Sequence, residues 1–553
     1  MHPDPFTISD ELVEEIVQLN PLMSTSLGLP GRDHLWPDFG PDGVDAQRAT
    51  VERYRTAFAG HLDHADPWQR LAAEVAYAFL GEQKAGYDAG DHLYDVSHMA
   101  SSFEAIRSVF DVMDSSTPEG REAVCARLET IGGAFEGYRD KLKMALHEGK
   151  IAARRQAESV IAQARDLGGP SSAFDCLAGT EDGSGRLAGA VAGAKRAASE
   201  FADFLQHEYL PHAPESDGVG EERYRRAAES FVGMAIDPRE TYEWGWFELG
   251  RILEEMRSVG EEIQPGATVR EVADLLETDP DRAAPNRAAF VDFVQRRQTS
   301  AVSDLDGPHF DVPDEIKGVS VNIAPPGGPL GAYYLQPSED FTTRLGGIWY
   351  SLPPEDGPIP LYQEVSTAYH EGFPGHHLQV AYVMTLAERL SRFHRLMVWY
   401  SGYGEGWALY TERLMHELGY FEKPDYVFGM LASHVFRAAR VVVDIGMHLG
   451  FRIPSDAPLH PGAQWDFDKA VDYMNVVGLQ PRPYATSEVQ RYLGWPGQAI
   501  SYKVGEREIL GLRDDLRRKL GSAFELKDFH NRVLGHGEMR FELLRRIVLD
   551  EWS

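Results

Sequence analysis

Tyr369-His370-Glu371-Gly372-Phe373-Pro374-Gly375-His376-His377-Leu378-Gln379 packs three histidines and a glutamate into the span from residue 370 to residue 377. The segment closes a helical run that starts near Leu361. In a His-Glu-x-x-His helix, two imidazoles one turn apart converge on zinc while the adjacent Glu faces water. Here His370 stands six residues from His376 and seven from His377. On an unbroken helix the first pair diverges in direction, and the second lies roughly 10 Å apart along the axis, at about 1.5 Å per residue. Pro374 lacks an N–H and clashes with the carbonyl of His370, four residues back, so the helix must kink or bulge. A bulge that absorbs the two extra residues returns His376 to the place of the second ligand, whereas a fuller loop brings His377 there. The first is preferred, and the remaining imidazole is left to a ligand-supporting hydrogen bond or a substrate contact.

A catalytic zinc site commonly takes three side chains and leaves a position for water. Gly402-Tyr403-Gly404-Glu405-Gly406-Trp407-Ala408 supplies the third at Glu405. Its flanking glycines let the backbone approach another chain closely, and Glu412, seven residues on, falls on the same helical face. Glu412 suits a hydrogen bond to a ligand histidine. The expected cofactor is one Zn2+ per chain, although the same donors accept cobalt, manganese or iron.

Beyond this cluster, the apolar helix from Val427 to Gly450 carries His434, Arg437, Arg440, Asp444 and His448 as one stripe. Such a stripe lines a cavity beside the metal or substrate, or forms a structural ladder such as Arg440 with Asp444. Further on, Arg491 to Gly505 surrounds a Pro-Gly helix start, and Tyr502 there is either an oxyanion donor or a core aromatic. Between residues 305 and 360, β-branched and aromatic runs at Val319–Ile323, Gly331–Leu335 and Gly347–Tyr350 read as a small antiparallel sheet. Gly331–Leu335, with Tyr334 as a substrate or supporting contact, is either an edge for an extended peptide or a structural hairpin.

The rest of the chain is mostly helical. Amphipathic helices broken by Gly/Pro/Asp clusters run from about Ile8 to Ile263, for example Ala72–Gln83 and Ile151–Leu167, with turns at Glu181–Gly185 and Pro214–Gly218. The fold class expected from the pattern is mostly α, with one small antiparallel sheet. The division expected is an N-terminal helical scaffold over 1–304 and a catalytic half, with the small sheet and the metal-binding helices, over 305–553, the two forming one continuous structural unit.

With 553 residues and 43% hydrophobic content, the chain can bury a substantial core. A formal charge of −32 opposes binding to nucleic acid or anionic lipid. Met1-His2-Pro3-Asp4-Pro5 has neither the basic stretch nor the apolar core of a signal peptide, so a cytoplasmic location is expected. Cys125 and Cys176 have no disulfide or zinc spacing and are read as packing or surface residues.

At His370 to His377, Gly404-Glu405-Gly406-Trp407 and Pro496-Gly497-Gln498-Ala499-Ile500-Ser501-Tyr502, the chain resembles the bacterial proteins grouped as domain of unknown function 885, over nearly its whole length. More remotely, the order of motifs is similar to that of the helical gluzincin peptidases, such as thimet oligopeptidase, angiotensin-converting enzyme and the Taq-type carboxypeptidases. That similarity implies a large helical metallopeptidase-like fold with a deep central cleft and a small sheet beside the substrate, with His370 and His376 or His377 as ligands, Glu405 as third ligand, Glu371 as base and Tyr502 as oxyanion donor. The chain departs from it by two residues inserted before the second histidine. The activity expected is zinc-dependent hydrolysis of short peptides or small amides, with Glu371 taking a proton from water and returning it to the leaving amine. Its rivals are a metal-dependent hydrolase or lyase acting on a small non-peptide metabolite, and a non-catalytic metal-binding protein.

Overall fold

Asp4, Asp66, Thr117 and Asp237 each precede a helix that begins with proline, and each accepts a hydrogen bond from a backbone N–H of the first turn. Such a cap contributes about 1 kcal/mol, and proline at the first position gives up an N–H that would go unpaired anyway. These punctuation marks explain why the chain becomes a series of discrete helices. The computed structural model describes residues 3–178, 185–324, 331–339, 341–342, 344–353 and 356–549. Residues 181–184 of the expected Glu181–Gly185 turn lie outside them.

The chain forms two compact units, one of residues 1–219 and 490–495 and one of 220–489 and 496–553. The boundary therefore falls near residue 219 rather than at 304. The helices Pro238–Ile263 and Arg287–Leu305 pack with the metal-bearing elements, because their apolar faces are covered by the Pro424–Leu449 helix and by the sheet.

In the first unit, Pro118–Glu148, Arg154–Gly168 and Arg186–Phe204 pack together around Phe201. Phe201 stacks on Tyr138 at 4.9 Å and on Phe103 at 6.0 Å between ring centroids. Burying such a ring contributes roughly 2–3 kcal/mol. Arg127 is fully buried and remains tolerable because it donates to Leu35 O at 2.8 Å and Arg32 O at 3.3 Å.

In the second unit the central element is Pro424–Leu449. It is long and apolar enough to cross a membrane, but 83% of its most apolar window is buried inside the protein, which makes it a core helix. Pro238–Ile263 lies along it, and Gly245 permits the close approach, since a Cβ there would meet Val441 at 2.7 Å. The helices Ser401–Glu417 and Ser501–Leu520 cross even more tightly. A Cβ on Gly406 would overlap the Gly505 backbone, and one on Gly505 would overlap the Gly402 carbonyl. Backbone thus meets backbone directly behind Glu405.

The strands are β1 (Ala283–Ala284), β2 (Ser320–Ile323), β3 (Ala332–Leu335), β4 (Gly347–Tyr350) and β5 (Ile359–Pro360). β1 and β5 form an antiparallel pair, and the larger sheet has the order β2-β4-β3. Within it β3 and β4 are antiparallel, with Tyr334 opposite Ile348, while β2 joins β4 in parallel. β3 therefore occupies an edge. Val321, Ile348 and Tyr350 pack with Phe290, Val294 and Ala368, which ties the sheet to the Arg287–Leu305 helix and to the helix that carries His370.

Candidate metal centre

The helix Glu364–Glu371 ends one residue after His370, and a new helix, His376–Thr385, begins at His376. The four residues between them make the break expected at Pro374. Gln298 secures it from the Arg287–Leu305 helix, donating from Nε2 to Ala368 O at 2.7 Å and accepting from Phe373 N–H at 2.7 Å. Trp407 Nε1 donates to Pro374 O at 2.9 Å. A Cβ at Gly375 would overlap the carbonyls of Tyr369 and His370, so glycine is what lets the chain fold back this sharply.

The fold-back brings His376 against His370, with ring centroids 4.9 Å apart and planes at 85°. Glu405, on the helix Ser401–Glu417, completes the group. One ligand atom from each of His370, His376 and Glu405 can be chosen so that all lie within 4.8 Å of one another. His370 Nε2 is 3.3 Å and His376 Nε2 is 3.5 Å from Glu405 Oε2. Two donors each about 2.0–2.2 Å from a tetrahedral zinc stand about 3.3–3.5 Å apart. Glu405 Oε2 is buried with no hydrogen-bond partner. Two imidazoles and a carboxylate in this arrangement fit zinc in type and spacing.

His377 is held elsewhere. Its Nε2 donates to Ile316 O at 2.8 Å, and its Nδ1 accepts from the Tyr334 hydroxyl at 3.1 Å. Both ring nitrogens are engaged, so the choice left open between His376 and His377 resolves geometrically to His376. Burial pushes the His377 imidazole down to about 4, which keeps it neutral. Tyr334 thus contacts the chain neighbour of the candidate ligand His376.

Glu412 supports the ligand from behind. His370 Nδ1 donates to Glu412 Oε1 at 2.8 Å, and Ser366 donates to Glu412 Oε2. A carboxylate can only accept, which fixes the His370 tautomer with Nε2 turned toward Glu405. Burial opposes charge on His370, and Arg437 adds to that, but Glu405 and Glu412 outweigh both and lift the imidazole to about 9. Burial likewise opposes the Glu405 anion, yet His370 and His376 hold its carboxyl well below the ordinary value. Glu371, next to His370, shows the opposite balance: burial raises its carboxyl, with Glu405 adding to the rise against the pull of both imidazoles and Arg437. A raised carboxylate in contact with water is a competent proton acceptor.

Behind Glu412 runs a buried charge chain. His434 Nε2 lies 3.4 Å from Glu412 and its Nδ1 3.5 Å from Glu506, while Lys503 pairs with Glu506 and, at 3.0 Å, with Glu248. Lys503, Glu506, Glu248, Ser366 and Gln298 were not singled out from the sequence. Lys503 and Glu506 do stand three apart just after Tyr502, a helical ion-pair spacing that offered a signal; Gln298 offered none.

The polar stripe on the Pro424–Leu449 helix divides. His434 and Arg437 face the Glu412 end. Arg440 pairs with Glu488 at 2.7 Å, a partner outside the stripe, where the ladder reading offered Asp444. Asp444 accepts from the Tyr224 hydroxyl at 2.6 Å and from Gly497 N–H at 3.0 Å, and His448 lies 3.6 Å from Asp444 with its ring beside Tyr224. Asp444 and His448 bind helices to one another rather than to the centre. Tyr502 lies beneath two guanidinium groups, Arg440 at 4.6 Å and Arg437 at 5.6 Å from its ring centroid.

Residues 21–548 match the family described as bacterial protein of unknown function, DUF885. None of the curated proteins matches the chain. Among solved structures, the chain is similar to a protein from Colwellia psychrerythraea described as a candidate lipoprotein, with a TM-score of 0.83 and 23% identity over 98% of each chain. It is also similar to a candidate lipoprotein of unknown function from Shewanella oneidensis, with a TM-score of 0.75 and 17% identity over 98% of this chain and 99% of that one. At such identities the likeness is one of fold.

Proposed function

The chain belongs to the bacterial DUF885 family, and from that premise we propose that it is a zinc-dependent hydrolase cleaving amide bonds in short peptides or small amides. The observation that carries this reading is the position of Glu371, a carboxylate raised by burial, directly after His370 in the His370, His376 and Glu405 group. His370, His376 and Glu405 would hold the ion. Zinc, when bound, supplies a Lewis acid that polarises a carbonyl and acidifies water at neutral pH.

The remaining steps belong to the chain. Glu371 takes the proton from the attacking water and returns it to the leaving amine, the two-way transfer for which a raised carboxyl is suited. Glu412 keeps His370 in the ligating tautomer. Tyr502 donates a hydrogen bond to the carbonyl oxygen as it gains negative charge, which favours the transition state over the substrate. The edge strand β3, tied by the Tyr334–His377 contact to the helix that carries His376, supports an extended peptide as the bound form.

The test combines elemental analysis with turnover of a short-peptide library. About one zinc per chain is expected, retained in Glu371→Gln while hydrolysis falls at least about 100-fold. Undiminished activity in Glu371→Gln removes the base assignment. Zinc uptake with no peptide turnover moves the reading to a non-peptide substrate or a non-catalytic site, and a protein that takes up no zinc removes the hydrolase altogether.

A further inference from the structure

Among the described residues, Arg437 is a cation near the centre that no carboxylate claims. It sits one helical turn beyond His434, and its guanidinium lies over the Tyr502 ring at 5.6 Å. One of its terminal nitrogens donates to Ser433 O at 3.3 Å, while its Nε is buried without a hydrogen-bond partner. Among the described residues, Arg437 has no ion pair. Its neighbour Arg440, over the same ring, is fixed by Glu488 at 2.7 Å.

The nearby acids are otherwise engaged. Glu412 spends one oxygen on His370 and the other on Ser366, and Glu405 faces the two imidazoles. Glu371 has to stay free of an ion pair to act as a base. Arg437 stands one turn from His434, whose Nε2 is 3.4 Å from Glu412, the carboxylate that holds His370, and this places it beside the centre. A guanidinium presents a planar fork of donors that matches a carboxylate, and such charge-assisted pairs are about twice as strong as neutral ones.

We propose that Arg437 is the binding residue for a free carboxylate on the substrate, so that the enzyme cleaves close to a carboxyl end rather than within a long chain. This rests on the hydrolase reading above and deepens it. The substrate class is then a short peptide or N-acyl amino acid whose free carboxylate lies one or two residues beyond the scissile amide.

The test uses the full-length, zinc-loaded protein and a set of N-acetylated tripeptides, each prepared as the free acid and as the C-terminal amide. Wild type is expected to cleave the acids about 100-fold better in kcat/KM, releasing one or two C-terminal residues. Arg437→Gln should lose that preference by slowing the acids far more than the amides, and Arg437→Lys should restore part of it. Zinc content and thermal stability, measured for each variant, separate a lost subsite from a lost fold. Equal cleavage of acids and amides by wild type, or an unchanged preference in Arg437→Gln, overturns the inference while leaving the hydrolase intact. If nothing is cleaved, calorimetry of the same acids and amides decides separately: acid-selective binding lost in Arg437→Gln supports the carboxylate site, and its lack overturns it.

Discussion

His370 Nδ1 donates to Glu412 Oε1 at 2.8 Å, and Glu412 stands on the same helix as Glu405, seven residues further on. One helix therefore provides both a metal ligand and the group that orients another ligand. Glu412→Gln keeps the shape but removes the charge that favours the His370 tautomer. Zinc affinity, measured by competition with a chromophoric chelator, is expected to fall about 10–100-fold. An unchanged affinity means that His370 is positioned by its helix alone.

The two neighbouring histidines should behave differently toward metal. Adding zinc at about 100 times its dissociation constant stabilises a protein by about 2.7 kcal/mol, which appears as a rise in Tm that a chelator reverses. His376→Ala should abolish this zinc-dependent rise. His377→Ala should keep it, while lowering the metal-free Tm through loss of the Tyr334 and Ile316 contacts. The reverse pattern would make His377 the ligand.

A pH effect is expected at the start of the Glu364–Glu371 helix, which carries His370. Burial pushes the Glu364 carboxyl from its ordinary 4.5 up to about 7, and Glu277 adds to the rise. Between these values the folded state binds more protons at this site than the unfolded state, so stability falls as pH rises through the window. Glu364→Gln removes the titration. Its Tm relative to wild type should increase from pH 4.5 to above 7 and then level off; a difference that stays constant with pH would show that Glu364 ionises normally.

Gly505→Ala tests the crossing behind Glu405. The new methyl overlaps the Gly402 carbonyl, and backbone cannot move aside as a flexible side chain can. Overpacking of this kind costs about 1–3 kcal/mol or more. Chemical denaturation should show that loss, together with weaker zinc binding, because Glu405 is carried away from His370 and His376. Gly511→Ala, on the same helix but with only the tip of Arg545 nearby at 3.9 Å, is the control expected to be neutral or stabilising.

Much of the centre was legible because glycine and proline mark it. Pro374 and Gly375 announced the break, the glycines around Glu405 announced a close helix crossing, and the seven-residue step to Glu412 placed both acids on one face. Sequence spacing could not choose between His376 and His377. That decision comes from Ile316 and Tyr334, which are 61 and 43 residues away from His377 in the chain. The ladder reading of the stripe, one of two, offered Asp444 to Arg440, whereas the fold supplies Glu488 from a later segment. The parallel β2–β4 pair was also missed, since local patterning does not fix strand direction. Gln298 lies on a helix with no visible tie to the metal cluster, and only packing reveals that it clamps the break.

The direct meeting of Gly406 with Gly505 bears on the order in which the protein assembles. His370 and His376 come from one stretch of chain and can approach each other once the break at Pro374 forms. Glu405 joins them only when the Ser401–Glu417 helix has docked on Ser501–Leu520, and that docking tolerates no side-chain atom between the two backbones. Metal uptake during refolding would accordingly register the seating of these two helices.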